Sequence, residues 1–288
     1  MIQELNPAAG LHSILQKMSQ SGAASVQKGW ESVLGVQYGT PDFARRHAEV
    51  VALVGRISDR LYAMPEGNPT RERNLRYLPH WYSAVVYSNG WNAQGHPAQN
   101  VISVDHLDDL GNFSDILVGR DRDAGDGISD DAMARLREGL AKWRELVDES
   151  TLPGQLREQI RGQVDHLEWL LTGVETFGPQ PVVARTEELV GTGVTALALI
   201  PRLAKKVTEA VVYCTGALTI INGGMAEGNV FLEHLTTMSA QIEELTSGES
   251  RPQIEQKRPQ AELPAVGDDN GQAGDVVDAE VVDEPHGP

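Results

Sequence analysis

Residues 189–224, LVGTGVTALALIPRLAKKVTEAVVYCTGALTIINGG, constrain the fold of this chain more than any other stretch. The segment is too apolar to lie open on a protein surface. It also fails as a single membrane span, which needs roughly 20 consecutive apolar residues, because Pro201, Arg202, Lys205, Lys206 and Glu209 interrupt it. Its halves, 189–200 and 210–221, have lengths that usually mark buried helices. The segment therefore predicts a Gly-interrupted apolar helical hairpin whose cover must come from elsewhere in the chain.

Amphipathic helices upstream supply that cover. Asn6 before Pro7 is a cap followed by a first-turn proline, and Leu11, Ile14, Leu15 and Met18 share one face. Ser25 caps a second helix carrying Val26, Trp30, Val33 and Leu34, with Gly35 as its left-handed stop. Thr40 and Pro41 open a third, whose stripe of Phe43, His47, Val50, Val51, Val54, Ile57 and Leu61 ends before Pro65. Residues 68–76 read as a polar, arginine-bearing connection, with Pro79 opening a brief helix through Tyr87 and Asn89-Gly90 marking a turn. Ser103 precedes a helix with His106, Leu107, Leu110, Phe113 and Leu117 on one side.

Two longer stripes follow. Ser129 caps the first, where Asp130 and Asp131 complement the helix dipole and Met133, Leu136, Leu140, Trp143 and Val147 recur at helical spacing. Pro153 opens the second, with Leu156, Ile160, Val164, Leu167, Leu171 and Val174 running to Gly178-Pro179. The short connection between them predicts an antiparallel hairpin. Phe231, Leu235, Met238, Ile242 and Leu245 form a last helical stripe, and no sustained alternation argues for a sheet. The expected fold is all-α: a multi-helix bundle with an N-terminal helical region over 1–125, C-terminal helical hairpins over 126–246 and a disordered acidic tail over 247–288.

Charge narrows the partners. The net charge is −17, and the tail holds ten acidic residues against three basic ones, a net of −7, so the body is acidic too. Such a field opposes general attraction to nucleic acid or to an anionic membrane. The single cysteine, Cys214, excludes an intrachain disulfide, and its apolar neighbours Val211, Val212 and Ala217 predict a buried, unreactive thiol. MIQELNPAAG lacks the basic flank and apolar run of a secretory signal, so the expected compartment is the cytoplasm.

No reaction is spelled out by the motifs. In the loop from Asp121 to Ile128 a calcium-binding register fails, because Gly125 stands where an acid belongs, Asp126 where the glycine belongs and Ala132 where the bidentate glutamate belongs. The eight histidines form no dense ligand pattern, and Asp165, His166 and Glu168 diverge around their helix. HExxH, GxSxG and GxxxxGK[ST] are all absent, which leaves no catalytic, cofactor or metal assignment. One binding constellation stands out. Arg71, Arg73 and Arg76 precede Tyr77, Trp81, Tyr82, Tyr87 and Trp91, a basic and aromatic run that serves a protein interface or core packing, and stacks bases where the field permits.

LHSILQKMSQSGAASVQKGWESVLG and LPGQLREQIRGQVDHLEWLL resemble a scattered group of uncharacterised helical bacterial proteins, a likeness implying a helical fold, bacterial or phage origin and a regulatory or phage-defence setting. The tail segment DVVDAEVVDE resembles the acidic C-terminal end of actinobacterial Hsp70 chaperones, which implies source and solubility. Taken together, the sequence reads as a non-catalytic cytoplasmic protein acting through a protein partner, with Arg73, Arg76, Tyr77, Trp81, Tyr82 and Trp91 as the contact set. One alternative is a peripheral membrane effector using 189–224, with Arg202, Lys205 and Lys206 at lipid headgroups and Val212 and Leu218 in the apolar layer. The other is an enzyme whose site assembles from residues distant in sequence.

Overall fold

Side-chain caps decide where the helices begin. Asn6 Oδ1 accepts from the backbone N–H of Ala8 and Ala9 to start α1 (Pro7–Gln20). Ser25 starts α2 (Val26–Leu34), which Gly35 ends at φ +67°, and Thr40 starts α3 (Pro41–Tyr62) through Phe43 N–H. Asn68 caps α4 (Pro69–Val86) through Thr70 N–H, and Ser103 accepts from His106 N–H at the start of α5 (Val104–Arg120). Ser129 caps α6 (Asp130–Val147). Next come α7 (Gly154–Thr172), a single turn α8 (Val174–Phe177), α9 (Pro179–Leu199) and α10 (Ala204–Ile221).

The computed structural model describes residues 6–87, 90–92, 96–120, 128–148 and 152–221, all of which belong to one unit, Met1–Ser250. Among them the regular structure is ten α-helices and two 3-10 turns, with no strand, which is the all-α bundle the periodicity predicts. The aspartate loop 121–127, the stripe from Phe231 to Leu245 and the tail 247–288 lie outside the described residues.

Three boundaries differ from the sequence reading. Residues 68–76 are no connection: they are the first half of α4, because Asn68-Pro69 repeats the cap and first-turn proline of Asn6-Pro7, and the polar side chains merely occupy its outer face. Pro79 then sits inside the helix on its exposed side, where the rung it cannot donate is open to hydration. The helix opened after Pro153 stops at Thr172, since Gly173 ends it and α8 restarts the chain before Gly178. Finally, α9 begins at Pro179, well upstream of the apolar half.

α1 lies at the centre of the first layer, touching α2, α3, α5 and α8, with Ala8, Leu11 and Leu15 fully buried. Gly10 permits the approach of α8: a Cβ there would lie 2.0 Å from the Thr176 carbonyl oxygen. The second layer is a ring of four helices, α6, α7, α9 and α10, each in contact with the next and α10 with α6 most extensively. Neighbours run antiparallel. Lys142 meets Glu209 while Gly139 meets Cys214 across α6 and α10, and Gln163 meets Glu188 while Gln159 meets Thr192 across α7 and α9. This is an up-down-up-down bundle, and the described part of the apolar segment forms two of its four staves.

Glycine lets those staves meet closely. A Cβ on Gly139 would stand 2.9 Å from Cys214 Sγ and 3.2 Å from the Cys214 backbone nitrogen, and one on Gly193 would stand 2.6 Å from Val211 Cγ2. Cys214 is consequently sealed in, and burial pushes its thiol up to about 12. Gly139→Val is therefore expected to lower the unfolding free energy by about 1–3 kcal/mol through overpacking. Gly191→Ala, at an α9 position with no atom within 4 Å of the new methyl, is expected to raise it by about 0.5–1 kcal/mol. Urea unfolding of both variants checks the opposite signs.

Candidate functional site

The basic and aromatic run expected to act together is divided by the fold. Trp81 is fully buried, stacks on Phe113 and donates its indole N–H to the His106 carbonyl at 3.0 Å. Trp91 belongs to a separate aromatic box with Trp30, Tyr38, Phe43 and His47. Within that box His47 Nε2 lies 3.1 Å from the Val85 carbonyl, so it carries hydrogen and donates. Burial holds the ring below its ordinary value despite that bond. Tyr77 is half-buried against Trp81 and His106.

Arg73, Arg76 and Tyr82 remain on the outer face of α4, with Tyr82 49% exposed. The helix carries three arginines against one glutamate within a chain of net charge −17. Arg71 is drawn inward over the Tyr62 ring, 5.8 Å from its centroid. Arg73 and Arg76, by contrast, have neither an ion pair nor a hydrogen bond among the described residues. Tyr82 and Val86, one turn apart, expose apolar surface on the same helix.

At the far end of the bundle, Arg202, Lys205 and Lys206 are exposed around the turn joining α9 and α10, beside Leu199 at 64% exposure. Val212 and Leu218 are half-buried along α10. Among the described residues no helix is long and apolar enough to cross a membrane.

A third site joins Glu49 and Arg185, which the sequence reading did not name, to His166, which it set aside as diverging from the acids beside it. Glu49 on α3 and His166 on α7 are each 5% exposed, and His166 Nε2 lies 3.1 Å from Glu49 Oε1. Arg185 on α9 donates to the same oxygen from Nε at 3.0 Å and from Nη2 at 2.9 Å. Burial pushes the Glu49 carboxyl up, but the hydrogen bonds from His166 and Arg185 and the Arg185 charge outweigh it and hold the group below its ordinary value. Glu188, paired with Arg185 at 3.0 Å and bonded by Gln163, is lowered against its own burial in the same way.

Gln163, His166, Arg185 and Glu188 border a cleft of about 320 Å³ between α3, α7 and α9, flanked by Ala44, Ala48 and Arg45. Gly162 makes room for Arg45, since a Cβ there would lie 2.6 Å from Arg45 Nη1. Asp165 and Glu168, the sequence neighbours of His166, turn the other way and hold Arg144 of α6. The signal for Glu49 was present in the sequence, as an acid flanking the α3 stripe one turn before Leu53. Its partner lies 117 residues away, a distance no local pattern spans. Searches of protein-family models, of curated proteins and of solved structures find no match to this chain.

The depressed Glu49 carboxyl contributes stability that is complete above its ordinary value of 4.5 and is lost as pH falls through its lower folded value. Glu49→Gln is expected to cost about 2–4 kcal/mol near pH 7, the 42% exposure of Arg185 screening part of the pair. The difference from wild type is expected to shrink on acidification below 4.5. Urea midpoints taken between neutral and acid pH check both.

Proposed function

We propose that this chain is a non-catalytic binding protein whose helical body docks an acidic segment of a protein partner on the outer face of α4. The observation that carries the reading is the pair Arg73 and Arg76, left unpaired one turn apart in a chain with a surplus of acids. Guanidinium groups grip carboxylates through paired, charge-assisted hydrogen bonds worth about 1.5–3 kcal/mol each. Tyr82 and Val86 expose apolar area further along the same helix. The negative field of the whole chain favours an acidic protein segment over nucleic acid, because a few local charges engage the former while the latter meets the full field.

Chemical cross-linking in extracts of the native cell, compared between wild type and charge-reversed variants, tests this. Arg73→Glu with Arg76→Glu is expected to lose a cross-linked partner that wild type retains and to lose it without loss of fold. Lys17→Glu with Lys205→Glu, the same change in net charge elsewhere, is expected to keep it. Binding should weaken with salt, because exposed charges are screened over about 10 Å at 0.1 M. Equal cross-linking by all three proteins counts against α4 as the docking face.

Leu199, exposed beside Arg202 and Lys205, favours a second reading in which this turn inserts shallowly into a membrane interface. Sedimentation with vesicles of phosphatidylcholine and phosphatidylserine separates the two. The α4 reading expects the protein in the supernatant, whereas sedimentation abolished by Leu199→Asp places the membrane reading first.

A further inference from the structure

We infer that the acidic segment docked on α4 is the outer face of α5 from a second copy of this chain, so that the protein forms a two-fold dimer through these two helices. The inference rests on the α4 reading above and names its partner. Two charge rows carry it. Arg73 and Arg76 are exposed three residues apart on α4, and Asp105 and Asp108 are exposed three residues apart on α5. Residues at that spacing rise about 4.5 Å along a helix and share one face, so the two rows match in pitch and oppose in sign. None of the four has an ion pair or a hydrogen bond among the described residues. From Val104 to Leu117, α5 carries four acids and no lysine or arginine, with Asp115 exposed two turns beyond Asp108.

The fold sets the rows side by side. His80, four residues after Arg76 and itself exposed, stacks its ring on His106 of α5 with centroids 3.9 Å apart, and the Trp81 indole N–H reaches the His106 carbonyl. The arginine row therefore runs along the edge of α4 that borders α5. A surface with a basic row and an acidic row on neighbouring helices is self-complementary: a half-turn about an axis between them lays each row on its opposite, twice per dimer.

That arrangement selects the partner. A foreign segment acidic across its whole width would meet the α5 acids as soon as it covered α4, and like charges brought together across an interface are costly. A second copy is acidic where α4 is basic and basic where α5 is acidic. Apolar area accompanies the charges: of the seven large hydrophobic side chains exposed among the described residues, Tyr82, Val86, Val104 and Ile116 belong to α4 and α5, with Val104 73% exposed one turn from Asp108. The net charge of −17 sets copies against each other at long range, but at about 0.15 M salt that repulsion fades beyond about 8 Å, and within that distance the contact rows decide.

Sedimentation velocity of the full chain in about 0.15 M NaCl reads the assembly directly. Wild type is expected to pass from monomer to dimer as its concentration rises, and added salt is expected to return it to monomer. Arg73→Glu with Arg76→Glu, or Asp105→Arg with Asp108→Arg, is expected to raise the dimer dissociation constant about tenfold or more, since each reversal turns attraction into repulsion on both sides of the two-fold axis. An equimolar mixture of the two variants is expected to recover the dimer, because the acidic α4 of one then meets the basic α5 of the other. The salt response of wild type decides the matter where either variant does not fold. Wild type that stays monomeric up to about 0.2 mM, a dimer indifferent to salt or to both reversals, or a mixture of folded variants that stays monomeric overturns the inference. Monomeric wild type whose Arg73 and Arg76 still govern a cross-link to another protein overturns the second copy and leaves the α4 reading standing.

Discussion

One carboxylate oxygen joins the two layers of this protein. Glu49 Oε1 receives a histidine from α7 and an arginine from α9 while its own helix belongs to the first layer. A buried charge is tolerated only where its hydrogen bonds are complete, so Glu49 restricts how α3 can lie against the bundle. Apolar contacts alone would permit sliding. The bonds to Nε2 of His166 and to two nitrogens of Arg185 specify one register, and Arg46 stacking over Trp169 lies alongside on the same pair of helices.

Around that junction the layers solve the packing problem differently. The first builds its interior from large rings and aliphatic chains, with Trp30, Trp81 and Phe113 fully enclosed. The second encloses Trp143 as fully and adds close helix approach at Gly139 and Gly193, where short side chains such as Ala210, Cys214 and Ala217 complete its interior. The low side-chain bulk of residues 189–221 is thus a packing requirement of the ring.

Much of this architecture is written in local patterns. Caps at Asn6, Ser25, Thr40, Ser103 and Ser129 and the stop at Gly35 act within a few residues, and each helix they bound was legible for that reason. α4 was misjudged in its first half because Arg71, Arg73 and Arg76 gave the segment the composition of a loop, although Asn68-Pro69 carried the opening signal. The contact set on that helix was legible as residue types and opaque as geometry. Trp81 and Trp91 look alike in sequence, yet one turns into the core beside Phe113 and the other joins a box built from α2 and α3. The cleft was not legible at all, since it exists only where α3, α7 and α9 meet and His166 ignores the acids beside it for one far upstream.

The central position of α1 has a consequence for how the chain is made. Its apolar face is covered by α2, α3 and α5, but Gly10 also rests against the Thr176 carbonyl in α8. A ribosome releases Gly10 long before it releases Thr176. α1 therefore waits, with part of its surface open, until Thr176, far downstream of it in the chain, has been translated. Vectorial synthesis and the finished topology are out of step here, and the interval between them is when the nascent chain most needs protection from its neighbours.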